Sequence, residues 1–405
     1  MMGHHPLILH FKKKIMVGSH KVIIAGAGGI GKAVGLLLAE VPDMAADIFI
    51  GDINYEAAIS VSKWVQEGAS SIVQIEPFHI HPQELTNQMD YVFSSGDILL
   101  DCLPGGEAPR MAAFALKYNL HYVNLTEYVA ETNQILDMAK GAETGFVLQA
   151  GLAPGFINIL GHQLYLEFAE EFQADKIDYM AMKVGALTRV VTGPHFYGFT
   201  WSPIGVATEY VKEAVVVRNH QKLNVPSLSG TTHLIIDGIH YEDDYTSGGA
   251  ADLPDYFKEK VANLDYKTIR YPGHFDWVRS QLQIIGQGQG IENRLLEKMN
   301  EYIPHVEDDL IVLYASVQGK DSKGVLRKKE KSMSIDPLKV GSHLLKGIQL
   351  TTAAPMLECA RMLLGGKFKG PVLQSSIDPE EFMKGPFIQM AFHSNKKRER
   401  AKLDA

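Results

Sequence analysis

The segment Lys21 to Glu40, KVIIAGAGGIGKAVGLLLAE, limits this chain to few architectures. Val22 to Ile24 are apolar and β-branched, as in a short buried strand. Three spaced glycines, Gly26, Gly28 and Gly31, follow at once, and from Ala33 to Ala39 the apolar run continues as a helix. A strand that turns into a helix through G-x-G-x-x-G opens a doubly wound, parallel α/β sheet. Gly26 permits the tight turn, Gly28 lets backbone approach a pyrophosphate, and Gly31 lets helix and strand pack closely. Gly29 and Ile30 lie at the helix N-terminus, where free N–H groups favour a phosphate.

Context turns this weak pattern into a dinucleotide site. A second apolar run, ADIFIGD, ends at Asp52, about twenty residues beyond Gly31. A carboxylate there can accept hydrogen bonds from both hydroxyls of an adenosine ribose. No Arg or Lys follows in DINYEAA to meet a 2′-phosphate, which favours NAD over NADP. Strand and helix patterns then keep alternating: SIVQIEPF, GDILLDCLP, a helix APRMAAFALKYN, the strand HYVNLTEY, a helix from Glu131 to Ala142, and GFVLQAG. In open α/β sheets ligands sit outside the carboxyl ends of the strands. The loops at Leu103–Gly106, Thr126–Tyr128 and Gly151–Gly155 are therefore expected around the nicotinamide. Pro104-Gly105-Gly106 is either a plain turn or a cofactor contact. Glu127, at a strand end, is either a site acid or the cap of the following helix.

At 405 residues the chain is too long for one ordinary core. Its 46% hydrophobic and 21% charged residues belong to a soluble globular protein. No apolar run reaches the ~18 residues of a membrane span, and a net charge of −8 argues against nucleic acid as a partner. With only two cysteines, Cys102 and Cys359, neither a disulfide framework nor a cysteine-rich metal site is expected, and the reducing cytoplasm is the expected location. No metal-binding spacing occurs; Asn158 and His162 share a helix face but lack partner ligands. Residues 1–20 read as an N-terminal extension, with Met16 an alternative start, and 391–405 as a charged tail.

Beyond about Ala174 the pattern changes. KIDYMAMKVGAL, EAVVVRN, THLIID, DYKTIRY and DDLIVLYASVQG are strands at irregular spacing, and GKDSKG is a hairpin loop. They describe an α+β domain with a largely antiparallel sheet, expected over 156–345 after a Rossmann domain over 21–155. TTAAPMLECARMLLGGKF is a helix capped by Thr351 or Thr352 and stopped by Gly365-Gly366, within a helical segment over 346–390.

The ordered set GLAPGFINILGHQL, GFTWSPIGVATEYV, LDYKTIRYPGHF and LTTAAPMLECARMLLGGKF, with the fingerprint and DCLPGG, resembles the saccharopine dehydrogenase family from Lys21 to about Met383. The WSP-IG-EY and DYKTIRYPGH motifs look closest to its NAD-dependent lysine 6-dehydrogenase branch. The resemblance implies hydride transfer between a nicotinamide and a CH–NH group of an amino acid. It also implies a second domain that supplies substrate contacts and a homodimer interface, and a C-terminal helix that returns to the first domain. Saccharopine reductases of the family are expected to carry Arg where this chain has Ile204, and an aliphatic side chain cannot make that bidentate carboxylate contact. A smaller amino acid such as lysine therefore moves ahead of saccharopine, with saccharopine- or carboxynorspermidine-type reductases next. A regulator that binds NAD(H) without turnover is the rival from another class.

The candidate base is Glu127 or His274, since a lysine amine, pKa ~10.4, must lose a proton before oxidation. His274 is otherwise a turn residue held by hydrogen bonds. The irregular, Gly/Pro-punctuated stretch TRVVTGPHFYGFTWSP suits a loop reaching into a cleft. It places Arg189, His195, Tyr197 and Trp201 as candidate substrate contacts, with Asn158 at a helix mouth near the cofactor. Arg189 is equally an ordinary surface residue, and Trp201 equally a core residue.

Overall fold

The computed structural model describes residues 20–189 and 196–393. Six strands carry the first half: β1 (His20–Ala25), β2 (Ala46–Asp52), β3 (Ile75–His79), β4 (Ile98–Asp101), β5 (His121–Asn124) and β6 (Gly145–Val147). Eight follow in the second: β7 (Ile177–Thr188), β8 (Ala214–Arg218), β9 (Gln221–Val225), β10 (Thr232–Ile236), β11 (Ile239–Tyr245), β12 (Val261–Arg270), β13 (Asp309–Lys320) and β14 (Leu326–Ile335). A small hairpin, β15 (Leu338–Val340) and β16 (His343–Leu345), precedes the last strand, β17 (Gly370–Val372).

The first sheet is wholly parallel in the order β3-β2-β1-β4-β5-β6-β17. Helices cover both faces, so its central strands are apolar on both sides, and Val22, Ile23, Ile24, Ile98, Leu99 and Leu100 are all fully buried. The strand order reverses direction between β1 and β4, and a ligand crevice opens at their carboxyl ends. This is the Rossmann layer read from the glycines.

The second sheet runs β10-β11-β12-β7-β13-β14, with β8 and β9 as a hairpin beside β12. All its pairs are antiparallel except β12 with β7. That pair sets the site, because Thr268 stands beside Val184 and one face of both strands looks towards the first domain.

The helix Gly347–Leu364 packs on the helix Gly29–Glu40, on β4 and β5, and on β13, so it ties the two layers together. It starts four residues before the expected threonine cap. Asp309, at the head of β13, is fully buried and accepts the Gly347 and Ile348 N–H groups, each at 2.7 Å. Thr351 instead donates its hydroxyl to the Gly347 carbonyl at 2.8 Å. The cap comes from a distant strand, which local spacing cannot reveal. The helix after β5 likewise differs, spanning Val129–Met138 rather than 131–142. Among the described residues no helix is long and apolar enough to cross a membrane.

Candidate active site

The glycine turn is built as its spacing requires. Gly26 adopts φ +107°, open to glycine, and a Cβ there would lie 2.8 Å from the Cys102 carbonyl oxygen. A Cβ on Gly31 would strike the Gly26 carbonyl, so the helix can approach the turn only through glycine. A Cβ on Gly28 would meet nothing within 4 Å, so this backbone faces open space. The helix Gly29–Glu40 has no side-chain cap, which leaves its first N–H groups to an anion. Asp52 stands beside the turn, accepting from Ala27 N at 2.7 Å and Asn54 N at 2.8 Å. Turn, helix terminus and acid fit a dinucleotide diphosphate and its ribose. At the end of β4, Gly105 packs against Thr126 and Tyr128, whereas Gly106 is open, so Pro104-Gly105-Gly106 is a turn with one free face.

A cleft of about 440 Å³ lies between the two domains. Gly29 and Ile30 mark its cofactor end, and Leu103, Leu125, Pro154 and Ile348 give it apolar walls. Its floor is the inner face of the second sheet. Tyr266, Thr268 and Arg270 alternate along β12, beside Val184 and Ala186 of β7. Glu127 enters from the loop after β5, and Glu209 from the helix Pro203–Val211. Lys346 and Gln349 close the side, where the Gln349 amide donates to the Gly29 carbonyl at 3.1 Å.

Arg270 is the cleft's buried cation, 1% exposed. Its Nε donates to the Tyr210 hydroxyl at 2.7 Å and its Nη1 to the Ile269 carbonyl at 2.9 Å. The guanidinium lies 4.6 Å from the Tyr197 ring centroid, and it makes no ion pair among the described residues. The Tyr210 hydroxyl also hydrogen-bonds with His274 Nε2, 2.9 Å away. This fixes the guanidinium plane from behind. Burial pushes the Glu127 carboxyl above its ordinary value, and Lys212 opposes the shift. Burial and then the charge of Glu127 raise Glu209, with Arg270 opposing.

The sequence-derived candidates divide. Glu127, Trp201, Gly29 and Ile30 line the cleft. Glu127 is no helix cap, because the helix Val129–Met138 follows Tyr128 without a side-chain cap. Four others lie outside the cleft lining. His274 is fully buried outside the cleft lining, in contact with the Tyr210 hydroxyl, where Glu242 accepts the flanking Gly273 and Phe275 N–H groups at 3.0 and 2.9 Å. Tyr197 is buried behind Arg270. Arg189 is exposed and pairs with Asp308 at 2.9 Å and Asp336 at 2.6 Å, so its charge is spent at the surface. Asn158 is fully buried and stitches the helix start together, accepting from Gly155 N at 2.8 Å and donating to the Gly249 carbonyl at 2.9 Å. His195 lies outside the described residues. Arg270 and Glu209 were missed. The period-2 pattern Tyr266, Thr268, Arg270 on one strand face was the available signal for the first.

A doubly wound dinucleotide layer, facing a second sheet across a cleft that holds a buried arginine and two glutamates, defines an NAD(P)-binding oxidoreductase. The model of the saccharopine dehydrogenase NADP binding domain matches residues 22–148, and that of the saccharopine dehydrogenase C-terminal domain matches 151–391. The chain belongs to the saccharopine dehydrogenase family. Its fold is shared with apo saccharopine dehydrogenase (L-Glu forming) from Saccharomyces cerevisiae, with TM-score 0.71 and 14% identity, covering 92% of this chain and 98% of that one. It is also shared with the homospermidine synthase of Legionella pneumophila in complex with NAD, with TM-score 0.62 and 14% identity, covering 92% and 89%.

Proposed function

We propose that the protein oxidises the amine-bearing carbon of a small amino acid, with the ε-carbon of L-lysine the leading candidate and NAD⁺ the oxidant. One observation carries this reading: the cleft sets a buried, unpaired guanidinium, Arg270, against the carboxyl groups of Glu127 and Glu209. An amino acid with a terminal amine presents the complementary charges, a carboxylate for the arginine and an ammonium for the glutamates. A volume of about 440 Å³ is near the lower end of ligand sites and must admit nicotinamide and substrate together, which favours a compact substrate. Ile204 in place of a second carboxylate-binding arginine points the same way. For the cofactor, Asp52 followed by Ile53 and Asn54 supports NAD, since a carboxylate at that position repels a 2′-phosphate.

In this mechanism Arg270, held by Tyr210 and backed by Tyr197, fixes the substrate carboxylate. Leu103, Leu125, Pro154 and Ile348 exclude water from the reacting carbon. Glu127 takes a proton from the ammonium, which at neutral pH is otherwise almost wholly charged. The nicotinamide supplies hydride acceptance when bound. The imine product then hydrolyses or cyclises.

A second reading, oxidation of a longer secondary amine, draws on a cavity of about 840 Å³ that adjoins the cleft at Glu127 and Glu209. Glu131, Glu213 and Glu292 also line it, so it suits a cationic extension better than the dicarboxylate half of saccharopine. The open, charged cleft argues against a binding-only regulator.

The test is formation of reduced nicotinamide by purified protein with NAD⁺ or NADP⁺ and L-lysine or saccharopine, from about pH 7 to 10. Turnover of lysine with NAD⁺ supports the proposal. Turnover of saccharopine alone moves the assignment to the secondary amine.

A further inference from the structure

Glu127 and Glu209 are the two residues common to the cleft and the adjoining cavity of about 840 Å³. They come from opposite domains, so a pair of carboxyl groups forms the partition between the two spaces. Neither side chain makes an ion pair or hydrogen bond among the described residues. The charge of Glu127 acts on Glu209 across this partition, so the two carboxyl groups do not ionise independently, and one proton held by the pair relieves the repulsion.

The surrounding charges favour that state. Lys212 acts on Glu127 and Arg270 on Glu209, one cation on each side. Tyr197 and Tyr210 pack on the Arg270 guanidinium, His274 lies behind Tyr210, and Tyr266 is on the floor beside it. Across the outer cavity Glu131, Glu213 and Glu292 add negative potential, with Tyr128 at the rim. Lys346, the other cation of the cleft wall, is paired with Glu307 at 2.8 Å, so Lys212 and Arg270 are the cations that oppose the burial of the pair.

Resting on the amine-oxidation reading above, we propose that Glu209 is a catalytic residue that works with Glu127 as a proton-sharing dyad and deprotonates the substrate amine. The singly protonated pair binds the ammonium from the cleft side and takes one of its protons, leaving a neutral amine and a doubly protonated dyad. An oxidised nicotinamide, bound at the glycine turn, would accept the C–H electron pair as hydride. The nitrogen lone pair closes the C=N bond to give an iminium ion. The dyad returns its extra proton to water in the outer cavity, so the balance is amine oxidised by two electrons, nicotinamide reduced, one proton released. Burial holds both carboxyl groups above their ordinary values, and the charge of Glu127 adds to the rise at Glu209, so both are stronger bases than a solvated carboxylate.

The experiment compares wild type with E209Q, E127Q and the double variant, using L-lysine and NAD⁺. NADH binding and circular dichroism first establish that each variant is folded. Loss of the like-charged neighbour lowers the pKa of the remaining carboxyl. The acid limb of kcat/KM is therefore expected to move down by about one pH unit or more in E209Q, with kcat at pH 8 down at least about tenfold. The double variant is expected to lose no more than the worse single variant, because the two act as a unit. An unchanged profile in E209Q, or losses that multiply in the double variant, overturns the dyad. Infrared difference spectra against E209Q provide a readout without turnover. A protonated-carboxyl band at neutral pH, lost in the variant, supports the dyad even if no tested amine is oxidised and the amine-oxidation reading falls. Absence of that band in wild type overturns the dyad even if lysine is a substrate.

Discussion

Replacing Asp309 by alanine tests how the cleft wall is held. The Asp309 carboxyl is fully buried and accepts two backbone N–H groups, from Gly347 and Ile348, each at 2.7 Å. Those donors start the helix Gly347–Leu364, whose first turns carry Lys346, Ile348, Gln349 and Thr352 into the cleft. A buried donor left without a partner costs about 1–3 kcal/mol, and two are orphaned together. Some of that is recovered if the first turn frays into water, so a loss of about 2–5 kcal/mol is expected. Asp309→Asn keeps one acceptor oxygen and should lose roughly half as much. Urea denaturation, followed by circular dichroism, reads the change as a shift of midpoint at constant slope. The same fraying releases Gln349 from the Gly29 carbonyl, so NADH should bind more weakly to Asp309→Ala than to Asp309→Asn. A midpoint within about 0.5 kcal/mol of wild type would refute the reasoning, since ordinary surface substitutions move stability by no more than that.

Arg270→Met removes the buried cation of the cleft while keeping most of its volume. Charge-assisted hydrogen bonds of about 1.5–3 kcal/mol should be lost, raising KM for L-lysine about ten- to hundredfold with NADH affinity unchanged; an unchanged KM would place the substrate carboxylate elsewhere. Asp101 is buried at the end of β4, where it accepts from the Tyr122 hydroxyl at 2.7 Å and Leu103 N at 3.0 Å, and burial pushes its carboxyl up to about 7. The folded chain therefore keeps a proton that the unfolded chain loses near ~3.9, so stability falls as pH rises between these values. Asp101→Asn should flatten that slope by a few kcal/mol, on the order of the shift, read as thermal midpoints from pH 4 to 8; a slope equal to wild type refutes the assignment.

The Rossmann half was legible because its signals are local. Gly26, Gly28 and Gly31 announce a turn whose backbone geometry only glycine accommodates, and Asp52 follows at a spacing set by one helix and one strand. The apolar runs of β1 and β4 carry their burial in their composition. Even the end of the helix Gly347–Leu364 was marked by Gly365, whereas its start was not, because the capping Asp309 is far away in sequence.

The cleft chemistry obeyed different rules. His274 and Asn158 carry residue types suited to catalysis or binding, and the fold buries both completely and gives each hydrogen-bond partners outside the cleft lining. Arg189 is a free cation on paper and is neutralised by Asp308 and Asp336 in the fold. Arg270 remains unpaired beside the cleft because the parallel register of β12 with β7 turns it inward, and Glu209 meets Glu127 only where two domains close. Periodicity and turn chemistry act over a few residues and so determine the strands, the glycine turn and the ribose acid from sequence alone. Which charges stay unpaired depends on every neighbour that sheet register and domain packing bring together, and the tertiary structure alone decides that.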